Sequence, residues 1–282
     1  MNLDVTGLSV RFGGLQALKS VSLSVPDGGV VGLIGPNGAG KTTLFNAVSG
    51  FVRTESGRIS YGERDITHLA PHRRAALGLV RTFQHGGLVP QATVAQNVVM
   101  AQHATMKTGV LSGLLGRAAA EERALRERAA GALGRLSLEA VADKPVHDLS
   151  HGLIKMVELA CALVRNPQVL LLDEPSAGLD PAETADLGAR LRALQEEHRI
   201  TTLVIDHDLR LVRHVARHIV VLSFGEVIAD GEWDDVRKDP RVVAAYLGPQ
   251  TTDEAGRPEA DVTEPGVDQS QEDDPDVAAR TV

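Results

Sequence analysis

Nine residues, Gly35-Pro36-Asn37-Gly38-Ala39-Gly40-Lys41-Thr42-Thr43, constrain this chain more than any other stretch. They follow a continuous apolar run, Val-Val-Gly-Leu-Ile at 30–34, and lead into residues 42–49, which have helical character. Strand, glycine-rich loop and helix in that order match the pattern G-x-x-x-x-G-K-[ST] of a phosphate-binding loop. Each residue type has a physical reason. Glycines such as Gly35, Gly38 and Gly40 let the backbone curl so that successive N–H groups, with Asn37 and Thr43 beside them, face phosphate oxygens. Lys41 carries a positive charge to the β- and γ-phosphates. The Thr42 hydroxyl can ligate Mg²⁺, and the helix presents its positive end to the anion. The loop marks a nucleotide site without saying which kind.

A second apolar run at 169–172 ends in Asp173-Glu174-Pro175. Downstream of such a loop, paired acids at a strand end divide the work. Asp173 is placed to hold the metal ion, and Glu174 to orient or deprotonate an attacking water. The rest of the pattern is α/β. Short strands are expected at 3–10, 21–25, 58–61 and 202–205, with a hairpin of 219–222 and 227–229 about Phe224-Gly225. A helix is expected around 182–197, and a helical block at about 92–164 stands between the two halves.

Charge and composition exclude several classes. The net charge of −8 belongs to the end of the chain, where residues 251–282 hold ten acidic residues and two arginines; the other 250 residues balance at 27 basic against 27 acidic. A balanced body gives no sign of the basic face that nucleic-acid binding needs. The acidic stretch has no hydrophobic period and is expected to be disordered. The single cysteine, Cys161, rules out a disulfide framework within the chain. No signal-peptide pattern opens the sequence, and no apolar run is long enough to span a bilayer.

Four further stretches carry a family resemblance. Leu149-Ser150-His151-Gly152-Leu153 resembles the signature motif of the ABC transporter ATPases, and Gln84 in Arg81-Thr82-Phe83-Gln84 resembles their Q-loop. Ser176-Ala177-Gly178-Leu179-Asp180 is similar to the D-loop, and His207 to the switch histidine. Phe12 lies upstream where the family's adenine-stacking aromatic is found. The resemblance implies a P-loop NTPase (RecA-like) core with an antiparallel β subdomain and an inserted helical subdomain. It also implies hydrolysis of ATP with Mg²⁺ held by Thr42, Asp173 and Gln84, and catalysis by Glu174, His207 and Gln84. Two such domains would pair head to tail, with Ser150 and the Gly152 N–H of one reaching the γ-phosphate held by the other, and Asp180 of the D-loop is counted among the nucleotide-binding residues. His151 stands where the family pattern has glycine, and Leu153, which offers no side-chain hydrogen bond, where it has glutamine.

Finer resemblance, in residues 11–15, 80–85, 101–103, 107–115 and 241–248, points to the ATPase subunits of branched-chain and hydrophobic amino-acid importers. That implies ABC permease subunits, a second ATPase subunit and a periplasmic or lipid-anchored solute-binding protein as partners, with no nucleic acid. It places the chain at the cytoplasmic face of the membrane through the permease. ATPases of urea or amide importers and of lipopolysaccharide extractors share the core motifs, as do soluble ABC ATPases. The expected organisation is an ATPase domain at 1–250, with core at 1–90 and 161–235, helical subdomain at about 91–160 and C-terminal segment at 236–250. An acidic tail follows at 251–282.

Overall fold

In chain order the elements of the computed structural model are β1 (Leu3–Phe12), β2 (Leu15–Val25), β3 (Val30–Ile34), α1 (Lys41–Ser49), β4 (Ser56–Tyr61), β5 (Arg64–Asp65), α2 (Pro71–Ala76) and β6 (Leu79–Arg81). They continue as α3 (Val94–Met100), α4 (Ala118–Arg135), α5 (His151–Leu163), β7 (Val169–Asp173), α6 (Pro181–His198), β8 (Thr201–Ile205) and α7 (Leu209–Val215). The last are β9 (His218–Ser223), β10 (Glu226–Glu232), α8 (Trp233–Val236) and α9 (Pro240–Leu247). The structure describes residues 1–82, 87–102 and 118–247. Gln84, the 107–115 segment and the acidic stretch 251–282 lie outside the described residues.

Two sheets organise these elements. A six-stranded sheet runs β10-β9-β3-β8-β7-β6, parallel from β9 through β6, with β10 antiparallel at its edge. A four-stranded antiparallel sheet runs β2-β1-β4-β5. The central strands of the large sheet are apolar at nearly every position because both faces are covered. Successive residues enter opposite cores: Leu170 and Leu172 pack with α5, α6 and α7, while Val169 and Leu171 pack with α1 and the antiparallel sheet. All five residues of β7 are buried, so its end delivers Asp173 to a fixed place.

The second strand is longer than the sequence pattern suggests. It begins at Leu15 and turns back on β1 through Gly13-Gly14, with register shifts that break the alternation from which a strand is read. Gly7 and Ser20 take left-handed φ values of 57° and 51° at this irregularity. The short elements β5, β6 and α2 also escaped the pattern, since two to six residues hold too little of a period to show it.

Buried Arg74 of α2 fixes the far end of α1. Its guanidinium donates to the carbonyls of Ala47 and Val48, at 2.7 and 2.6 Å, and to those of Thr67 and Leu69. A cation on the last carbonyls of a helix completes its C-terminus. The other end of α1 points into the site.

Candidate functional site

The loop between β3 and α1 owes its shape to two glycines. Gly35 has φ 150°, and a Cβ there would lie 2.0 Å from the Leu222 carbonyl oxygen. Gly40 has φ 105°, and its Cβ would meet the Ala17 carbonyl at 2.8 Å. Only glycine fits either place. Gly40 is also the N-cap of α1, and no side chain caps that helix. By contrast α3, α5, α6 and α7 are capped by Thr93, Ser150, Asp180 and Asp208. The first N–H groups of α1 are thus left for an anion from outside the chain.

Lys41 is buried and its ammonium donates to the carbonyls of Gly35 at 2.7 Å and Pro36 at 3.0 Å. Burial pushes its pKa down, and the nearby Glu174 opposes that shift. A bound phosphate would add a second negative partner and favour the charged amine further.

A cavity of about 580 Å³ opens over the loop. Of the site residues expected from the sequence, Phe12, Asn37, Gly38, Gly40, Lys41, Thr42, Thr43, Glu174 and His207 line it. Glu174 and His207 come from the ends of adjacent strands, β7 and β8. The Nε2–H of His207 donates to Glu174 Oε1 at 3.1 Å. Glu174 has a left-handed φ of 48°, and its N–H is held by the Ile205 carbonyl at 2.8 Å. Strain of that kind in a non-glycine residue persists where the surroundings over-determine it.

Asp173 is buried below, and its two oxygens differ. Oδ2 accepts from Arg81 Nη2 at 2.5 Å, and Oδ1 is buried with no hydrogen-bond partner among the described residues. Arg81 also donates to Asn46 Oδ1 at 2.7 Å and lies 5.6 Å from the centre of the Phe45 ring. The next residue, Thr82, accepts from the Asp173 N–H at 3.2 Å. The end of β6 therefore grips the end of β7. Nothing local in the sequence marks Arg81 for this role, which comes from the pairing of β6 with β7.

Asp206, the residue before His207, likewise takes its role from the fold. It is buried, accepting from Ser176 N–H at 2.9 Å, Ser176 Oγ at 2.6 Å and Asp208 N–H at 2.9 Å. It ties the loop after Glu174 to the loop that carries His207. A buried acid beside a histidine at a strand end is the signal that could have found it.

Ser150, Gly152 and Asp180 do not line the cavity. They meet elsewhere, where α5 and α6 begin side by side. Ser150 Oγ accepts from Leu153 N–H at 3.4 Å, and Asp180 accepts from Ala182 and Glu183 N–H at 2.7 and 2.8 Å. One Glu183 carboxylate bridges both helix starts, accepting from Gly152 N–H and from Asp180 N–H at 3.2 Å each. His151 reaches across to the Ala177 carbonyl at 3.2 Å.

A glycine loop opening an uncapped helix, with an acid and a histidine over it at neighbouring strand ends, defines a P-loop nucleotide-hydrolysing protein. Residues 18–177 match the family model described as ABC transporter, and the chain belongs to that family. Residues 226–248 match a second model, described as branched-chain amino acid ATP-binding cassette transporter. The chain is 42% identical over 248 residues to the high-affinity branched-chain amino acid transport ATP-binding protein BraF of Pseudomonas aeruginosa, covering 87% of this chain and 97% of that protein. It is 43% identical over 249 residues to LivG of Salmonella typhimurium, with the same coverage. A nucleotide-free ATP-binding cassette from an ABC transporter superposes with a TM-score of 0.78 at 33% identity, covering 88% of this chain and 100% of that one. A dimeric bacterial ABC transporter cassette superposes with a TM-score of 0.68 at 25% identity, covering 82% of this chain and 98% of that one. This chain is an ATP-binding ATPase of a transport system, built on the P-loop fold.

Proposed function

We propose that this chain energises uptake of branched-chain or other hydrophobic amino acids through a separate permease. The observation that carries this reading is the close likeness, over nearly their whole length, to ATP-binding proteins named for branched-chain amino-acid transport. The match of residues 226–248 supports it, because generic nucleotide chemistry does not require that segment.

Within the site, Lys41 and the N–H groups opening α1 bind the phosphates, and Phe12 stacks on the base. Glu174 orients or deprotonates the attacking water, and His207 holds the Glu174 carboxylate at its working angle. Mg²⁺ fits the residues present, since Asp173 Oδ1 is a buried acceptor with no partner among the described residues and Thr42 brings a hydroxyl oxygen to the cavity. Bound there, the ion would neutralise charge on the phosphates. Gln84, assigned to the metal and to catalysis, lies outside the described residues. Ser150, Gly152 and Asp180 serve the nucleotide of a second ATPase subunit paired head to tail.

Among the described residues no helix is long and apolar enough to cross a membrane. Attachment at the cytoplasmic face is therefore assigned to the permease. A cleft of about 280 Å³ lined by Arg81, Thr82, Leu88, Met100, Cys161 and Arg165 suits a docked permease segment. Arg165 Nε is buried there without a hydrogen-bond partner among the described residues. Co-purification of the tagged chain in mild detergent tests the assignment. An amino-acid-type permease with a second ATPase subunit is expected, and a solute-binding protein completes the system. Ribosomal proteins or nucleic acid in place of a permease would refute it.

A further inference from the structure

The chain has five phenylalanines among 282 residues, and two of them, Phe12 and Phe224, stand exposed at the mouth of one cavity. Phe224 is 80% exposed, and Leu15 beside them is 68% exposed. Phe224 also pays in backbone geometry. It opens the tight turn between β9 and β10 with a left-handed φ of 46°, where asparagine or glycine is at ease and a bulky aromatic is an outlier.

The turn that carries it is firmly held. The Gly225 N–H donates to the Ala39 carbonyl of the phosphate loop at 2.9 Å, and the Lys19 N–H of β2 donates to the Gly225 carbonyl at 2.8 Å. A Cβ on Gly225 would lie 2.6 Å from the Ala17 carbonyl, so the turn is wedged between β2 and the loop. Lys19 and Glu226 pair across the same junction at 3.0 Å. An exposed aromatic in a costly conformation, on a support bonded to the phosphate loop itself, is placed for a ligand.

We propose that Phe224 is a nucleobase-binding residue that closes the turn side of the pocket over the base, opposite the contribution of Phe12 and Leu15. The cavity has the volume of a small-ligand site. Its phosphate end is polar, at Lys41 and Thr42, while Phe12, Leu15 and Phe224 give the rest of the lining apolar surface alongside Gln16 and Lys19. A mononucleotide has the same polarity, with charge at one end and a flat π-face at the other. Stacking between an aromatic side chain and a base tolerates any purine and adds affinity without hydrogen-bond readout.

The proposal rests on the reading of Phe12 as a stacking residue, and the experiment separates the two. Mg²⁺ with ADP, and Mg²⁺ with inorganic tripolyphosphate, are titrated calorimetrically into the full chain and into Phe224→Asn, Phe224→Tyr and Phe12→Ala. Phe224→Asn is expected to weaken ADP roughly tenfold, to leave tripolyphosphate within about twofold, and to hold or raise the melting temperature, because asparagine suits the turn. Phe224→Tyr is expected to keep ADP affinity within about twofold of the unaltered chain. Unchanged ADP affinity in Phe224→Asn with a loss in Phe12→Ala overturns the proposal and spares Phe12. Unchanged affinity in both overturns stacking altogether. Equal losses for ADP and tripolyphosphate would show a distorted loop, and a loss confined to ATP-driven pairing in a Glu174→Gln background would show a contact with a second copy. Either result overturns the proposal.

Discussion

Replacing Arg81 with methionine tests whether the grip of β6 on β7 is what holds the Asp173 carboxylate in place. The Arg81 and Asp173 side chains are only 9% and 2% exposed, so removing the guanidinium strands a buried charge. Breaking such a pair costs about 3–5 kcal/mol, most of it the penalty on the charge left behind. The hydrogen bond to Asn46 adds about 1 kcal/mol. In a protein of this size each kcal/mol moves the melting temperature by roughly 2–4 °C, so a fall of roughly 8–24 °C is expected. Urea unfolding followed by the fluorescence of Trp233, the chain's single tryptophan and packed against the core, gives the free energy directly. The double variant Arg81→Met/Asp173→Asn closes the cycle and should recover about half the loss, because the stranded charge is gone. A single variant that costs under about 1 kcal/mol, or a double variant less stable than both singles, would refute the argument.

Three other outcomes follow from the same geometry. Lys41→Ala should abolish nucleotide binding, while Glu174→Gln should bind ATP normally and hydrolyse it at least about a hundredfold more slowly, trapping a paired state visible by size-exclusion chromatography; normal turnover by Glu174→Gln would sink the assignment. Arg165→Glu should reduce permease recovery in co-purification while leaving nucleotide affinity of the isolated chain within about twofold, since the cleft it lines lies apart from the cavity over the loop. Burial, with a smaller contribution from Glu158, pushes the Cys161 thiol up to about 12. The neutral thiol is thus the form the fold favours, a preference complete below the ordinary thiol pKa and lost as pH rises toward 12. At pH 8 iodoacetamide should therefore label the native chain at least about a hundredfold more slowly than the urea-unfolded chain, and equal rates by mass spectrometry would contradict the raised pKa.

The sequence by itself determined the phosphate loop, the paired acids and the order of motifs. These are local: a glycine's freedom, a lysine's charge and an apolar run of five residues act on neighbours in the chain, so spacing alone carries the message. It also determined which strands are doubly buried, because unbroken apolar runs have no other stable place. Tertiary structure decided what long-range pairing brings together. Arg81 meets Asp173 across 92 positions because β6 pairs with β7, and Glu183 reaches Gly152 because α5 and α6 start side by side. Phe224 reads in the sequence as an ordinary turn residue; only the wedging of its turn against Ala39 and Lys19 sets its ring at the mouth of the nucleotide cavity. A motif records which groups a chain owns, and the sheet order determines which of them can touch.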